Sequence, residues 1–579
     1  MDDELRARIE EAAEVNALLN AVKHESEAQV GAIMGPLMGE NPEFREHGDE
    51  IPGIITPVVD RVNGMDGQER RDRIAELAPD RLEEIESEDE GEGEDHPLPD
   101  LPNVDESEGV RMRVAPNPNG PWHIGHARMA AVVGTYKERY DGAFVCRFDD
   151  TDPETKRPDL DAYDQILDAI DYLGFEPDSV VKASDRVGTY YDHARDLIDA
   201  GGAYTCSCPQ GEFSDLKNNG EACPHREKDA GTVHEEFEEM VNGEYESGEM
   251  VLRVRTDITH KNPALRDFVA FRIIDTPHPR EAAEEYRCWP MLDFQSGVDD
   301  HLLDITHIIR GIDLQDSAKR QQFVYDYFGW EYPEVVHWGH VQVDEYDVSL
   351  STSTISELIA EGDLDGWDDP RAPTVASLER RGIRGQALVD AMIELGTSTS
   401  NVDLAMSSVY ANNRELIDDD TDRAFFVREG EEYGGLVERQ IIGGPDAGEP
   451  PLHPDHEDRG RREIPVTSGV VIEGDDLPPH GERVWLKGYG CVRHTRDAFE
   501  YVGDDISAVR EEGVDVVHWA PADGPALRLR TMDGDVTGVA EPGVLEYDTD
   551  DLLQFERIGF ARLDALDADG ESVAYFAHP

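Results

Sequence analysis

Lysine is nearly absent from this chain: nine occur in 579 residues, against forty-four arginines. Long apolar runs are missing too. No stretch approaches the roughly 20 residues a helix needs to cross a bilayer, which argues against a membrane partner. The start, MDDELRARIEE, is acidic and amphipathic rather than a secretory leader, so a cytoplasmic protein is expected. Cysteine is scarce, at six residues, and three of them (Cys206, Cys208, Cys223) crowd into eighteen positions. That spacing suits a local metal site better than a disulfide framework. The sequence has no Gly-Lys dipeptide, hence no Walker loop, and no complete G-x-G-x-x-G.

What the chain has in excess is acid. Asp and Glu total 128 against 53 Lys and Arg, for a formal charge of −75. The carboxylates run through segments with clear apolar periodicity, so they form neither a local acidic tail nor a disordered chain. A carboxylate surface with few long-stemmed lysines fits a halophilic protein. At about 1 M salt the Debye length is roughly 3 Å and self-repulsion is screened. Net acid ordinarily argues against a nucleic-acid partner. In molar salt long-range steering is weak for every protein, so charge does not exclude RNA here.

The pattern divides the chain into regions. Residues 1–84 carry apolar residues at helical spacing. Residues 85–109 read as an acidic linker rich in Pro and Gly. From residue 110 to about 345, strands and helices alternate, as in a parallel α/β sheet of Rossmann type, with an insertion at about 206–290. Residues 346–400 form a further segment, and 401–579 read as short strands of a β-barrel. The expected fold class is a multidomain α/β plus all-β protein. The acidic stretch 235–242 reads as a solvated helix face, and His193, His301 and His307 as packed or surface residues.

The string RVAPNPNGPWHIGHAR, residues 113–128, is a strand, a stiff loop and a helix start. Such a layout presents a helix N-terminus to an anion at the carboxyl end of a strand. His123 and His126 share one face of the first turn, where they could donate hydrogen bonds to a transferring nucleotidyl group. Taken alone, H-x-G-H also fits ordinary helix residues or zinc ligands. A second cluster, C-x-C-x14-C-x-H, joins Cys206, Cys208, Cys223 and His225. Two soft pairs on one loop can close a tetrahedral structural Zn²⁺ site, or pack as four buried residues of a small knuckle.

The full 113–128 string resembles the signature of class I aminoacyl-tRNA synthetases, in the glutamyl/glutaminyl branch. FVCRFDDTDP (144–153) resembles the branch's second strand motif, and VDDHLLDITHIIRG (298–311) its second Rossmann half. Residues 366–383 resemble its stem-contact segment, and 412–427 the entry to a β-barrel anticodon domain. The likeness runs from about residue 110 to the end, and the β-rich tail is similar to that of archaeal-type glutamyl enzymes.

This resemblance implies a catalytic domain with an acceptor-arm insertion, a β-barrel anticodon domain, ATP with Mg²⁺, L-glutamate, and tRNA-Glu or also tRNA-Gln; it implies no DNA partner. ATP would be held by Pro116, Asn117, Pro118, Asn119, Gly120, Pro121, Trp122, His123, Ile124, Gly125 and His126, with Ser351, Thr352 and Ser353. Arg310 falls where glutamyl enzymes carry an arginine that meets the substrate carboxylate; Arg113 and Asp149 are the other implied substrate contacts. The alternatives are a glutaminyl ligase, disfavoured by Arg310, and a non-catalytic RNA-binding paralogue. Two departures stand out. Leu292 replaces a usual tyrosine. The loop Ser351-Thr352-Ser353-Thr354 has no lysine, none occurring between Lys319 and Lys487, so Arg371 or Mg²⁺ is expected to take that part.

Overall fold

The computed structural model describes residues 3–23, 28, 30, 33, 37, 51–65, 70, 73–74, 77–78, 96–104, 109–507, 511, 513–568 and 570–579. The chain forms two compact units, residues 1–96 and 97–579. In the first, helices α1 (Asp3–Lys23) and α2 (Ile51–Asn63) pack on each other. The apolar spacing in each puts Ile9, Ala13, Ala17 and Leu18 of α1, and Ile51, Ile55, Val58 and Val62 of α2, in one small core. Most of the acidic 85–109 segment lies outside the described residues.

Residues 97–104 belong to the second unit, although their composition reads as linker. Leu98 and Leu101 are buried against the Rossmann core. Tyr136 donates to Pro99 O at 2.8 Å, Arg139 to Leu98 O at 2.8 Å, and His307 Nε2 lies 2.9 Å from Pro102 O.

The Rossmann half begins with β1 (Arg111–Val114), α3 (Ile124–Arg139), β2 (Ala143–Phe148), α4 (Ala162–Tyr172), β3 (Ser179–Lys182) and α5 (Val187–Asp199). β1, β2 and β3 pair in parallel, with Arg113 opposite Val145 and Phe148 opposite Lys182. The insertion is an antiparallel sheet of β4 (Ala203–Cys206), β5 (Val251–Val254), β6 (Phe268–Ile273) and β7 (Cys288–Pro290), with helices α6 (Gln210–Asn219) and α7 (Ala230–Val241). α7 is amphipathic rather than solvated all round: Val233, Phe237 and Met240 are buried. The second half follows as α8 (Leu292–Leu302), β8 (His307–Gly311), α9 (Gln315–Phe328) and β9 (Glu334–Trp338). β8 and β9 are parallel, and Thr306 lays β8 beside β1: its N–H donates to Arg111 O at 2.9 Å, and its Oγ1 accepts from Arg111 N at 2.9 Å.

Four helices follow: α10 (Thr352–Glu361), α11 (Val375–Arg381), α12 (Gly385–Glu394) and α13 (Met406–Ile417). Arg381, fully buried, donates to Phe576 O (3.0 Å), Ala577 O (2.6 Å), Tyr346 (3.1 Å) and Tyr410 (2.9 Å), and so fastens the last strand to α11.

Beyond α13 lie two seven-stranded sheets. In one, the edge strands are 422–424 and 426–428; in the other, 516–517 and 520–521. The two edges of each sheet are thus joined by one or two residues (Phe425; His518 and Trp519), which forces each sheet to curl until its edges approach. Arginine is internally engaged here: Arg423 pairs with Asp418, Arg428 with Glu473, Arg462 with Glu541 and Glu556, and Arg557 with Asp476. Among the described residues no helix is long and apolar enough to cross a membrane.

Candidate active site

A cavity of about 1120 Å³ opens at the carboxyl ends of β1, β2 and β8. This is where an open parallel sheet binds ligands. Its wall includes Pro116, Asn117, Asn119, Gly120, Trp122, His123, Gly125 and His126 of the opening string, together with Thr352 and Ser353. Pro118, Pro121 and Ile124, expected at the nucleotide, are buried behind that wall; Ile124 belongs to the apolar core. Ser351 does not line the cavity either. Its hydroxyl accepts from Thr354 N at 3.4 Å as the N-cap of α10, so residues 352–354 are a first helical turn rather than a loop.

The opening string is held by its neighbours. Ile124 N donates to Pro373 O at 2.9 Å, and Val375 N to Trp122 O at 3.0 Å. Asn117 donates to Asp149 O at 2.8 Å. Gly120 has φ +151°, and a Cβ there would lie 2.5 Å from Thr352 Cγ2. Gly120→Ala is therefore expected to push the 352 turn away and to lower ATP-dependent activity about a hundredfold. Gly188→Ala, with nothing within 4 Å of the added Cβ, serves as the unaffected control in the same rate assay.

His123 is the residue preceding α3, with extended backbone (φ −78°, ψ 164°). Its ring stacks on that of His126 with centroids 3.6 Å apart. Both Nδ1 atoms are buried without a hydrogen-bond partner in the chain. Burial lowers the His123 pKa to about 4. Burial, then His123 and Lys156, hold His126 well below the usual imidazole value. The cavity wall therefore carries two neutral imidazoles, each with one ring nitrogen that no protein group satisfies.

Beneath them is a buried charge cluster. Arg147, which sequence reasoning passed over, is fully buried; it donates to Asp149 (2.7 Å), Asp300 (2.7 Å) and Ser296 (2.8 Å). Arg113 lies on Asp300 at 3.0 Å, and Arg186 on Asp299 at 2.7 Å. Burial favours the neutral acid at Asp300, but Arg113 and Arg147 outweigh it and hold the carboxyl at about 2. At Asp149 burial wins and the pKa is raised, although Arg147 pulls it down. Arg113 and Asp149, implied as direct substrate contacts, line the cavity but already have protein partners of opposite charge.

Arg310 is different. It is 7% exposed, lines the cavity, and donates to Gln321 Oε1 at 3.1 Å. Its Nε is buried without a partner, and among the described residues no carboxylate forms an ion pair with it. Asp299 and Asp300 are engaged by the other arginines. Four guanidiniums (Arg113, Arg147, Arg186, Arg310) thus share three carboxylates (Asp149, Asp299, Asp300), and the surplus cation is Arg310. Leu292 stands at the cavity wall, 40% exposed, with no polar group to offer.

Arg371 does not take the part expected of it. Its Nε and Nη2 grip Asp369 at 2.9 and 2.6 Å, and it is not part of the cavity wall. A short-range carboxylate captured it.

In the insertion, Cys206, Cys208, Cys223 and His225 come together, with all ligand atoms within 4.8 Å of one another. Cys206 Sγ and Cys223 Sγ are 3.8 Å apart, and His225 Nδ1 is 3.3 Å from Cys208 Sγ. A tetrahedral zinc with Zn–S near 2.3 Å sets its sulfurs about 3.8 Å apart, so the donor set fits that ion. Ser207 Oγ, 3.2 Å from His225 Nε2, holds the ring by its other nitrogen.

Comparison with known proteins agrees with this architecture. Residues 109–419 match the family described as tRNA synthetases class I (E and Q), catalytic domain, and 421–509 its anti-codon binding domain. The chain is 84% identical over 581 residues, the full length of both, to a protein of Haloarcula marismortui named glutamate–tRNA ligase. It is 70% identical over 580 residues, again full length, to one so named in Natronomonas pharaonis. One of Methanosarcina acetivorans is 42% identical over 569 residues, 97% of each chain. With a neutral histidine pair, a nucleotide-sized cavity and two barrels behind it, the chain belongs to the class I tRNA synthetases of the E and Q group.

Proposed function

We propose that this chain is a glutamate–tRNA ligase, and the observation that carries the reading is Arg310. A buried guanidinium without a counter-charge is costly unless a ligand supplies one. A glutamate side-chain carboxylate does so, with charge-assisted bonds; the amide of glutamine cannot. Asp149 and the Arg147 pair behind it fix the floor on which the amino acid sits.

In the first step an α-carboxylate oxygen of glutamate attacks the ATP α-phosphorus. The Pα–O bond to the β-phosphate breaks and pyrophosphate leaves. In the second, a hydroxyl of the terminal tRNA adenosine attacks the glutamyl carbonyl carbon and AMP departs. His123 and His126, neutral and unpartnered, donate to the phosphate oxygens as charge moves onto them. Thr352 and Ser353 add hydroxyls at the same wall. Mg²⁺ bound together with ATP would neutralise part of the triphosphate charge, a role that calls for few protein ligands.

The test is aminoacylation of total tRNA from a halophilic archaeon in molar KCl with Mg²⁺, offering labelled glutamate or glutamine. Glutamate charging alone is the expected result. Glutamine charging would remove the Arg310 argument.

Cys206, Cys208, Cys223 and His225 are assigned a structural Zn²⁺; four protein ligands leave no open position for catalysis. It would pin β4 to the loop that follows α6. About one zinc per chain is expected by elemental analysis, falling to none in Cys223→Ser. That variant should also lose several kcal/mol of stability, since metal binding is coupled to folding, visible as early proteolysis within 203–290.

A further inference from the structure

The triphosphate end of the ATP site receives no positive side chain from the 351–354 turn. Residues 351–354 bring hydroxyls and a helix turn but no charge, and Arg371 is held by Asp369. Five cationic side chains line the cavity: Arg113, Arg128, Arg272, Arg310 and Lys156. Arg113 is held by Asp300, and Arg272 by Asp152 at 2.9 Å. Arg128 is buried beside Trp338, donating to the carbonyls of Gly339 and Gly396 at 3.0 and 2.5 Å. Arg310 lies with the buried carboxylate cluster. Among the described residues Lys156 has neither an ion pair nor a side-chain hydrogen bond, although carboxylates outnumber cations by more than two to one.

Its surroundings keep it free. Asp152, four residues before it, accepts from Glu154 N (3.2 Å) and Thr155 N (2.9 Å) on one oxygen, and from Arg272 on the other. That arrangement builds the turn that carries Lys156 out of the carboxyl end of β2 and occupies Asp152; among the described residues Glu154, two positions from the lysine, forms no ion pair with it either. Of the nine lysines, Lys156 alone lines the cavity. It also lies close enough to His126 for its charge to depress that imidazole.

The geometry points to Lys156 as the cation that meets the phosphates of ATP in this enzyme, on the histidine side of the cavity, as Arg310 meets the carboxylate on the other. The inference rests on the ligase reading, which wild-type glutamate charging tests separately.

The same phosphate chemistry could come from the backbone of the tRNA acceptor end, and the assay separates the two. Wild type, Lys156→Met and Lys156→Arg are compared in molar KCl, varying ATP, glutamate and tRNA in turn. Lys156 is exposed, so folding is not at issue, and thermal melts confirm it. The expected result for Lys156→Met is a rise of about tenfold to a hundredfold in KM for ATP, or an equal fall in kcat, as one charge-assisted contact is lost. KM for glutamate and for tRNA should stay within twofold, and Lys156→Arg should recover most of the loss. An unchanged ATP dependence, or a defect confined to KM for tRNA, overturns the assignment.

Discussion

Replacing Arg310 by alanine is expected to lower kcat/KM for glutamate about a thousandfold while leaving the unliganded protein as stable as before, or more so. The two halves of this result have one cause. In the free protein the guanidinium is buried beside other cations: burial first, then Arg113, depresses its pKa, Asp300 offsets this only in part, and among the described residues no carboxylate forms an ion pair with it. Removing it relieves the fold of an uncompensated charge. In the complex the same guanidinium neutralises the substrate carboxylate, and deleting one partner of a buried pair costs about 3–5 kcal/mol, or two to three and a half powers of ten. The measurements are steady-state charging and thermal denaturation with and without glutamate, in molar KCl. Glutamate should raise the melting temperature of the wild type only. A variant that loses activity by melting would mark Arg310 as structural instead. Arg310→Lys keeps the charge but not the two-pronged geometry, and should fall between the two.

The second large effect is expected at His126. His126→Ala should lower kcat about a hundredfold to a thousandfold, the usual loss when a donor to developing charge is removed. KM for glutamate should change little, because the ring acts at the phosphate. The pH profile distinguishes neutral donors from imidazolium. Burial takes His123 down to about 4 and His126 well below the usual value, so both are uncharged at neutral pH. Their contribution should be level from about pH 6 upward and fade only on acidification toward 4, whereas imidazolium donors would fail above about 6.5. The same shift has a sign for stability. Between pH 4 and 6.5 the unfolded state binds the proton that the folded state refuses, so acidification through that window destabilises the fold. A kcat that declines between pH 6 and 8 in step with an imidazole titration would contradict the neutral pair.

Some of this site was legible in the sequence and some was not, for physical reasons. The 113–128 string, the alternation around it and the Cys/His spacing are local patterns, and local patterns survive in one dimension. Barrel closure was only half legible: short strands announce a β-rich tail, but not that residues 422–424 and 426–428 are opposite edges of one sheet. Arg147 was illegible. It reads as an interior strand residue, and its partners Ser296 and Asp300 arrive some 150 positions later. Arg371 misled because its capture by Asp369, two residues away, competes with any reach toward the cavity. Ser351 looked like a phosphate ligand because hydroxyls serve helix caps and anion sites alike. Lys156 had a signal that could have been read: a lone lysine, in a chain with almost none, six residues beyond the Asp149-Asp150 pair that follows β2.

The barrel arginines carry a thermodynamic consequence. Arg423, Arg428, Arg462 and Arg557 are each closed on a carboxylate of their own chain. A protein that neutralises many phosphates with free cations releases a counterion for nearly every one, and its affinity drops steeply as salt rises. These four are engaged before RNA arrives, while Arg493 and Arg496 are exposed and form no ion pair among the described residues, so a small number of condensed ions is displaced on docking. A plot of log Kd for tRNA against log [KCl] should accordingly be shallow, with a slope of only about one or two in magnitude. The enzyme's grip on RNA is thereby made only weakly dependent on the ions it lives among.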